Sequence, residues 1–402
     1  MRSFEMLSVE TYLHNSLSES CSEIHEARLN AVLDVASGLR NSQNLSLSEL
    51  GRNLPGNAKL KNKIKKVDRL EGNKALHNEL FLLYQGLSSF VLRYISQDPT
   101  IPLLIDICCL KDDREIQMLS AEVALKGRSL PLYREVYIDI ETKGRAQNFL
   151  KELSLCLPQN RKVIIIMDAG FYEEWFKEIE TLGWYWLCRI RGGKSVKLSE
   201  ESEWKTVKEL IPEIKSKTTH YEHALLTKNH ERSCRMITTH RQPKGRKVKT
   251  SRGKTTSTVS NGSFSQSNKE PWILATNLPL DVTPVDVVNL YFKRMQIEES
   301  FRDMKSHQFG LAGRYVRTHC VNRWGVKMVL AAIVQITYWV IGVIAHSQNK
   351  QCYFQANTVK DKKIFSYFTL GKMMIEYNQL ASLAPDHRPL QVIIEQELNR
   401  VW

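Results

Sequence analysis

The run at residues 162–168 constrains the fold most, because five successive apolar residues lie between Lys162 and Asp168. A strand with one face in water alternates apolar and polar residues, whereas a strand covered on both faces is apolar throughout. Residues 101–106 have the same character and also end in an aspartate, Asp106. Both runs therefore predict strands buried on two faces.

Strand and helix patterns alternate around these two runs. Further strands are predicted at 118–124, 130–137 and 184–190, and helices at 145–157 and 171–182. This order predicts an α/β domain. Asp106 and Asp168 would end neighbouring strands, where α/β proteins place their sites. Singly, each aspartate is equally well explained as a turn or capping residue.

A third carboxylate belongs to a helical pattern at 289–305. Its polar members recur at steps of three, four, four and three, which predicts one stripe on one helix: Tyr291, Arg294, Glu298, Arg302 and Lys305. A carboxylate among cations stays ionised and suits a divalent metal, and the cations suit phosphate. The simpler alternative is a solvated face with i,i+4 ion pairs.

The N-terminal quarter is helical and basic. Lys65, Lys66 and Arg69 lie on a predicted helix that follows the break at Pro55 and Gly56. Short helices that present a basic one outward suit the phosphate backbone of DNA. A helical bundle with a solvated, lysine-rich face remains the alternative.

The segment between 192 and 282 predicts short strands, at 219–226, 234–240 and 270–277. Residues 241–254 carry seven basic residues and no acid, so they fit either a solvated loop or a loop that clamps DNA. Trp272 opens the last strand; a lone tryptophan is more often a core residue than a base-stacking one.

Composition limits the partners and the compartment. Lys and Arg outnumber Asp and Glu by 57 to 43, and the net charge of +14 favours an anionic partner, most often nucleic acid. The eight cysteines form no zinc-ligand spacing. The N-terminus lacks an apolar signal core, and residues 328–345 are interrupted by polar side chains, as in a core helix. We expect a reduced, cytoplasmic protein with no membrane span.

Three carboxylates from separate segments of a basic protein predict a site for two divalent cations, with Asp106, Asp168 and Glu298 as ligands. Mg²⁺ takes a few carboxylates together with substrate phosphate, and Mn²⁺ is the expected substitute. The reaction class is in-line phosphodiester hydrolysis and strand transfer.

The sequence resembles the bacterial DDE transposases of the insertion-sequence-four type. Their signature, Y-x-x-R-x-x-x-E-x-x-x-x-x-x-K, is matched at all four positions by Tyr291, Arg294, Glu298 and Lys305. The blocks at 293–299, 168–171 and 49–55 look most like the transposon-ten branch of this family. The resemblance extends from about residue 23 to about residue 357.

The resemblance implies a ribonuclease-H-like catalytic core with an inserted β-rich subdomain and an N-terminal helical DNA-binding domain. It implies that Tyr291, Arg294 and Lys305 hold phosphates, and that Trp272 stacks on a flipped base while the DNA end closes into a hairpin. The predicted regions are 1–97 for DNA binding, 98–191 and 283–345 for the catalytic core, 192–282 for the insertion, and 346–402 for a C-terminal helical region.

The predicted function is cut-and-paste transposition of DNA, in which end cleavage through a hairpin precedes joining to target DNA. The expected partners are the element's terminal inverted repeats, the target duplex and a second copy of the chain, in the bacterial nucleoid. Relatives carry a Trp or a hydroxyl residue after the first aspartate, where this chain has Ile107, Cys108 and Cys109. Two alternatives therefore stay open: a DNA-binding relic without cleavage, and a ribonuclease-H-like nuclease without strand transfer.

Overall fold

The chain divides into two compact units. The computed structural model describes residues 6–94, 99–111, 115–138, 143–214, 218–240, 270–358, 364–384 and 388–399, with side chains from residue 13 onward. Unit 1 comprises Met1–Arg161 and Met295–Trp402, and unit 2 comprises Lys162–Arg294. The basic run at 241–254 lies outside the described residues. Both units combine helices with strands, which confirms a mixed α/β protein.

Most of the predicted helices and strands are present with shifted ends, and the structure contains further elements that were not predicted. The helices are α1 Met6–Ser20, α2 Glu26–Arg40, α3 Leu47–Arg52, α4 Leu60–Glu71, α5 Lys74–Tyr94, α6 Arg145–Leu155, α7 Glu173–Thr181, α8 Val207–Leu210, α9 Pro284–Phe292, α10 Met295–Lys305, α11 Val321–Ser347, α12 Tyr367–Glu376 and α13 Leu390–Asn399. The strands are β1 Thr100–Cys109, β2 Gln117–Ala124, β3 Ser129–Tyr137, β4 Lys162–Met167, β5 Tyr185–Arg189, β6 Ser195–Lys197, β7 Lys205–Thr206, β8 Thr219–Leu226, β9 Arg232–Thr239 and β10 Trp272–Thr276.

The strands of unit 1 form an antiparallel meander in the order β3-β2-β1. Asp106 pairs with Ser120, and pairing continues to Cys109 opposite Gln117. The prediction that Asp106 ends its strand is therefore wrong. The backbone hydrogen bonding with β2 carries the strand through Ile107 and the two cysteines.

Helix α11 forms the centre of unit 1. Its most apolar 18-residue window has a mean hydropathy of 2.2, and the helix is long and apolar enough to span a membrane. Yet 94% of that window is buried inside the protein. The burial confirms the prediction of a core helix. Helix α12 crosses it closely, because a Cβ on Gly342 would lie 1.7 Å from the Tyr367 carbonyl oxygen and one on Gly371 1.8 Å from that of Tyr338.

The strands of unit 2 follow the order β4-β5-β10-β9-β8-β6-β7. β4 and β5 are parallel, and the remaining pairs are antiparallel. Every residue of β4 after Lys162 is buried, as its apolar run predicts. Asp168 follows directly, so unit 2 presents this carboxylate at the end of a buried strand.

Candidate active site

Two residues of the signature contact Asp168 within unit 2. The Tyr291 hydroxyl donates a hydrogen bond of 3.3 Å to Asp168 Oδ1, and Arg294 Nη1 lies 3.7 Å from Asp168 Oδ2. Tyr291 is 2% exposed, and the Arg294 side chain is 8% exposed. Both carboxylate oxygens therefore have a partner, and an almost buried phenol and guanidinium orient this acid.

The local sequence explains how Tyr291 reaches this position. The Thr283 hydroxyl accepts a 3.2 Å hydrogen bond from the Asp286 N–H, and Pro284 occupies the first turn, so α9 begins there. Val287 and Tyr291 are four residues apart and are both buried, which places them on the inner face of α9. The Trp272 and Tyr291 rings pack in an edge-to-face arrangement, with centroids 5.0 Å apart.

The prediction of one continuous signature helix is wrong. Helix α9 ends at Phe292 and α10 begins at Met295. The N–H groups of Lys293 and Arg294 donate to carbonyls three residues back, at 3.0 Å each. Such bonds tighten the last turn and end the i→i−4 ladder. Tyr291 and Arg294 therefore do not share a helix with Glu298.

Arg189 is a cation near Asp168 that was not predicted. It ends β5, its side chain is 11% exposed, and Glu270 lies 3.9 Å away. Burial, and then the neighbouring Arg191, lower its pKa, while the charges of Tyr291 and Asp168 oppose this. The alternation of Arg189 and Arg191 after an apolar strand was the available signal, since residues two apart share a strand face.

The other two predicted acids belong to unit 1. Asp106 is partly exposed on β1, and its Oδ1 accepts a 2.8 Å hydrogen bond from the Ile107 N–H. Glu298 is exposed on α10. Lys305 hydrogen-bonds Cys108, two residues after Asp106. Burial raises the pKa of the Cys108 thiol to about 12, and Lys305 only partly opposes this, so the thiol is neutral at physiological pH.

Helix α10 separates its polar and apolar residues. Ile297, Phe301 and Met304 are buried. The exposed residues include Glu298, Arg302 and Lys305. Arg302 forms an ion pair with Glu299 and is 67% exposed. The helix thus offers one carboxylate and two cations to solvent.

The chemistry of the three predicted ligands fits Mg²⁺, since Asp106, Asp168 and Glu298 are oxygen donors open at least partly to solvent. Among the residues that the structure describes, however, no group of three His, Cys, Asp or Glu side chains is gathered as a metal site. The side chains provide suitable donors but no assembled cage.

The N-terminal basic residues line a groove between α2 and α4. Lys65, Lys66 and Arg69 are exposed, and the groove has a volume of about 490 Å³. Lys66 pairs with Asp34 at 2.6 Å. Helices α3 and α4 approach closely because Gly51 has no side chain; a Cβ there would lie 2.6 Å from Ile64 Cγ1.

Residues 143–334 match the transposase DDE domain. The matched range includes Asp168 and the whole signature from Tyr291 to Lys305, and it begins after Asp106. It supports a DDE transposase; enzymes of this class act on DNA and generally use divalent metals. No curated protein matches the sequence.

Proposed function

We propose that this chain is a cut-and-paste DNA transposase of the insertion-sequence-four type, related to the transposon-ten branch, with a ribonuclease-H-like core. The observation that carries the proposal is the contact of Tyr291 and Arg294 with Asp168. Two signature positions thus serve a second acid that is distant in sequence, within a segment matching the transposase DDE domain. A solvated helix face with local ion pairs would not require that contact.

Asp106, Asp168 and Glu298 are the proposed ligands of two Mg²⁺ ions. Bound Mg²⁺ would supply a lowered pKa for water and charge neutralisation at phosphorus. Tyr291 and Arg294 orient Asp168, and Lys305 and Arg189 provide cations for phosphate oxygens. Water attacks phosphorus at the element end and releases the 3′ oxygen. The freed 3′-hydroxyl then attacks the opposite strand, and the resulting hairpin is reopened before the end joins target DNA.

The proposed DNA contacts lie on both units. In unit 1, Lys65, Lys66, Arg69 and Arg302 are exposed and would bind backbone phosphates of the terminal repeat. In unit 2, Trp272 is partly exposed beside Tyr291, which suits stacking on a flipped base. Two copies would hold the paired ends, since both ends must be cut before joining.

The proposal is tested by cleavage of a duplex that carries the element's terminal repeat. The native chain, Glu298→Gln and Glu299→Gln are compared with and without Mg²⁺, and the products are resolved as nick, hairpin and joined duplex. Glu299→Gln is the matched control, because it removes the same charge one residue away, where the side chain pairs with Arg302. Loss of a ligand predicts at least a 100-fold slower reaction for Glu298→Gln alone.

Each outcome separates the alternatives. Mg²⁺-dependent cleavage with hairpin and joined products, lost only in Glu298→Gln, supports the transposase. Binding without cleavage by the native chain identifies a DNA-binding relic, for which the residues after Asp106 provide the reason. Cleavage without joining identifies a nuclease. Equal cleavage by native chain and Glu298→Gln refutes Glu298 as a ligand.

A further inference from the structure

Three polar side chains of α10 contact the β2–β3 hairpin in unit 1. Gln296 Oε1 accepts a 2.8 Å hydrogen bond from the Leu125 N–H in the turn. Ser300 Oγ accepts from the Ser129 N–H at 3.1 Å. Asp303 Oδ2 accepts from Arg128 Nε at 2.6 Å. These contacts, named here the hairpin clamp, span almost the full length of the helix.

The clamp lies on the side of α10 opposite Glu298. At about 100° per residue, Gln296, Ser300 and Asp303 fall within an arc of roughly 60°, and Glu298 lies roughly 170° from its centre. The apolar residues of α10 fix its depth, but apolar contacts are non-directional. Hydrogen bonds with defined donors and acceptors fix the rotation about the helix axis.

The clamp continues into a buried ion pair between β2 and β3. Ser129 Oγ donates to Glu122 Oε2 at 2.6 Å, and Arg134 Nη2 donates to Glu122 Oε1 at 2.6 Å. Both side chains of this pair are 0% exposed. Ser120 donates to Glu122 Oε1 at 2.8 Å, and Ser120 is the residue paired with Asp106 across β1 and β2. One polar network thus connects the strand position opposite Asp106 to the helix that carries Glu298.

We propose that Gln296, Ser300 and Asp303 are positioning residues that set the rotation of α10, and thereby the direction of Glu298, against the β2–β3 hairpin. The buried Glu122–Arg134 pair holds the hairpin side of the clamp, so Asp106 and Glu298 keep a fixed relation within unit 1. This inference rests on the proposed function, in which both acids bind metal. In this proposal the polar residues on the inner side of α10 orient Glu298 on its outer side.

The test compares three variants of the full chain. Gln296→Met keeps the length of the side chain and removes the acceptor for the Leu125 N–H. Gln296→Glu restores an acceptor. Ile297→Val removes one methylene from the buried face of the same helix and leaves the clamp intact. Amide hydrogen exchange of residues 298–305 and Mn²⁺ binding by calorimetry are measured for each variant, and Mn²⁺ binding also for Glu298→Gln.

The clamp predicts that Gln296→Met exchanges about tenfold faster over 298–305 and binds Mn²⁺ about tenfold more weakly, as for loss of a group that orients a ligand. Gln296→Glu and Ile297→Val should stay within about twofold of the native chain in Mn²⁺ affinity. The clamp is overturned if Gln296→Met changes neither the amide exchange rate nor the Mn²⁺ affinity. It is also overturned if Ile297→Val changes both quantities as much as Gln296→Met does. A native chain that binds no Mn²⁺, or binds it as well after Glu298→Gln, overturns the proposed ligand set, while exchange still decides whether the clamp exists.

Discussion

The substitution Lys327→Met tests how the basic helix α4 is attached to the core helix α11. Lys327 and Glu71 form an ion pair whose side chains are 1% and 2% exposed. Lys327 Nζ also donates to the Leu45 carbonyl at 2.9 Å. Burial lowers the pKa of Lys327 and raises the pKa of Glu71, and each charge opposes the shift of the other. Removing the lysine leaves a buried carboxylate with Arg323 at 3.8 Å.

The expected loss is about 3–5 kcal/mol of unfolding free energy, because one partner of a buried pair is left uncompensated. At about 2–4 °C per kcal/mol, the midpoint of thermal unfolding should fall by roughly 6–20 °C. Replacing both residues by Met removes both charges, and stability should then lie within about 1 kcal/mol of the native chain or above it. Asp68→Asn is the control, since it breaks the exposed pair with Arg323 and should lose at most about 1 kcal/mol.

The deficit of Lys327→Met should also depend on pH. Burial raises the folded pKa of Glu71 and Lys327 opposes this, so removing Lys327 raises the folded pKa of Glu71 further above its unfolded value in the variant. Stability then falls as pH rises from about 4.5 through the folded pKa, and the deficit is smaller at pH 5 than at pH 8. Unfolding by guanidinium at pH 5 and at pH 8 measures this difference in unfolding free energy between the native chain and Lys327→Met. A deficit at pH 8 no larger than that of Asp68→Asn would refute the assignment of a buried, coupled pair.

One further substitution and one labelling reaction test other parts of the structure. Tyr291→Phe removes the hydroxyl that donates to Asp168. We expect DNA cleavage to be roughly fivefold slower, which corresponds to about 1 kcal/mol, with little change in the free energy of unfolding. An unchanged cleavage rate would contradict the positioning role of Tyr291. With iodoacetamide at pH 8, the exposed Cys320 and Cys352 should react quickly, and Cys108 should react slowly because burial raises the pKa of Cys108 to about 12. Mass spectrometry of the digested protein measures the labelling of each cysteine. Rapid labelling of Cys108 would contradict the burial of β1.

Strong local patterns predicted much of the fold. The apolar run before Asp168 predicts β4 because five successive apolar residues are costly unless both faces are covered. The apolar stretch at 328–345, which polar side chains interrupt, predicted the core helix α11. Strands β6 and β7 were not predicted, since three and two residues are too few to show a period. Their pairing depends on partners that are distant in sequence.

The end of β1 and the break before α10 were not predicted from the sequence, because both depend on tertiary contacts. Asp106 interrupts the apolar run that predicts β1, yet β2 supplies hydrogen-bond partners as far as Cys109. No Gly or Pro lies between Tyr291 and Glu298, so the helical pattern runs on through Lys293 and Arg294. The proximity of Arg189 to Asp168 and the hydrogen bond of Gln296 likewise could not be predicted from the sequence alone, because the partners lie far away in the chain.

The break at Lys293 and Arg294 also places the first two signature residues beside an acid from another strand. On a continuous helix, the spacing alone would place Arg294 one turn before Glu298 on the same face. In the structure the tightened turn ends the ladder, and Arg294 lies 3.7 Å from Asp168, whose other oxygen accepts a hydrogen bond from Tyr291. Glu298 follows on an exposed face of α10, opposite the residues of the proposed hairpin clamp. The spacing Y-x-x-R-x-x-x-E therefore spans a turn between two helices: Tyr291 and Arg294 contact an acid that is distant in sequence, and Glu298 lies on the helix that follows.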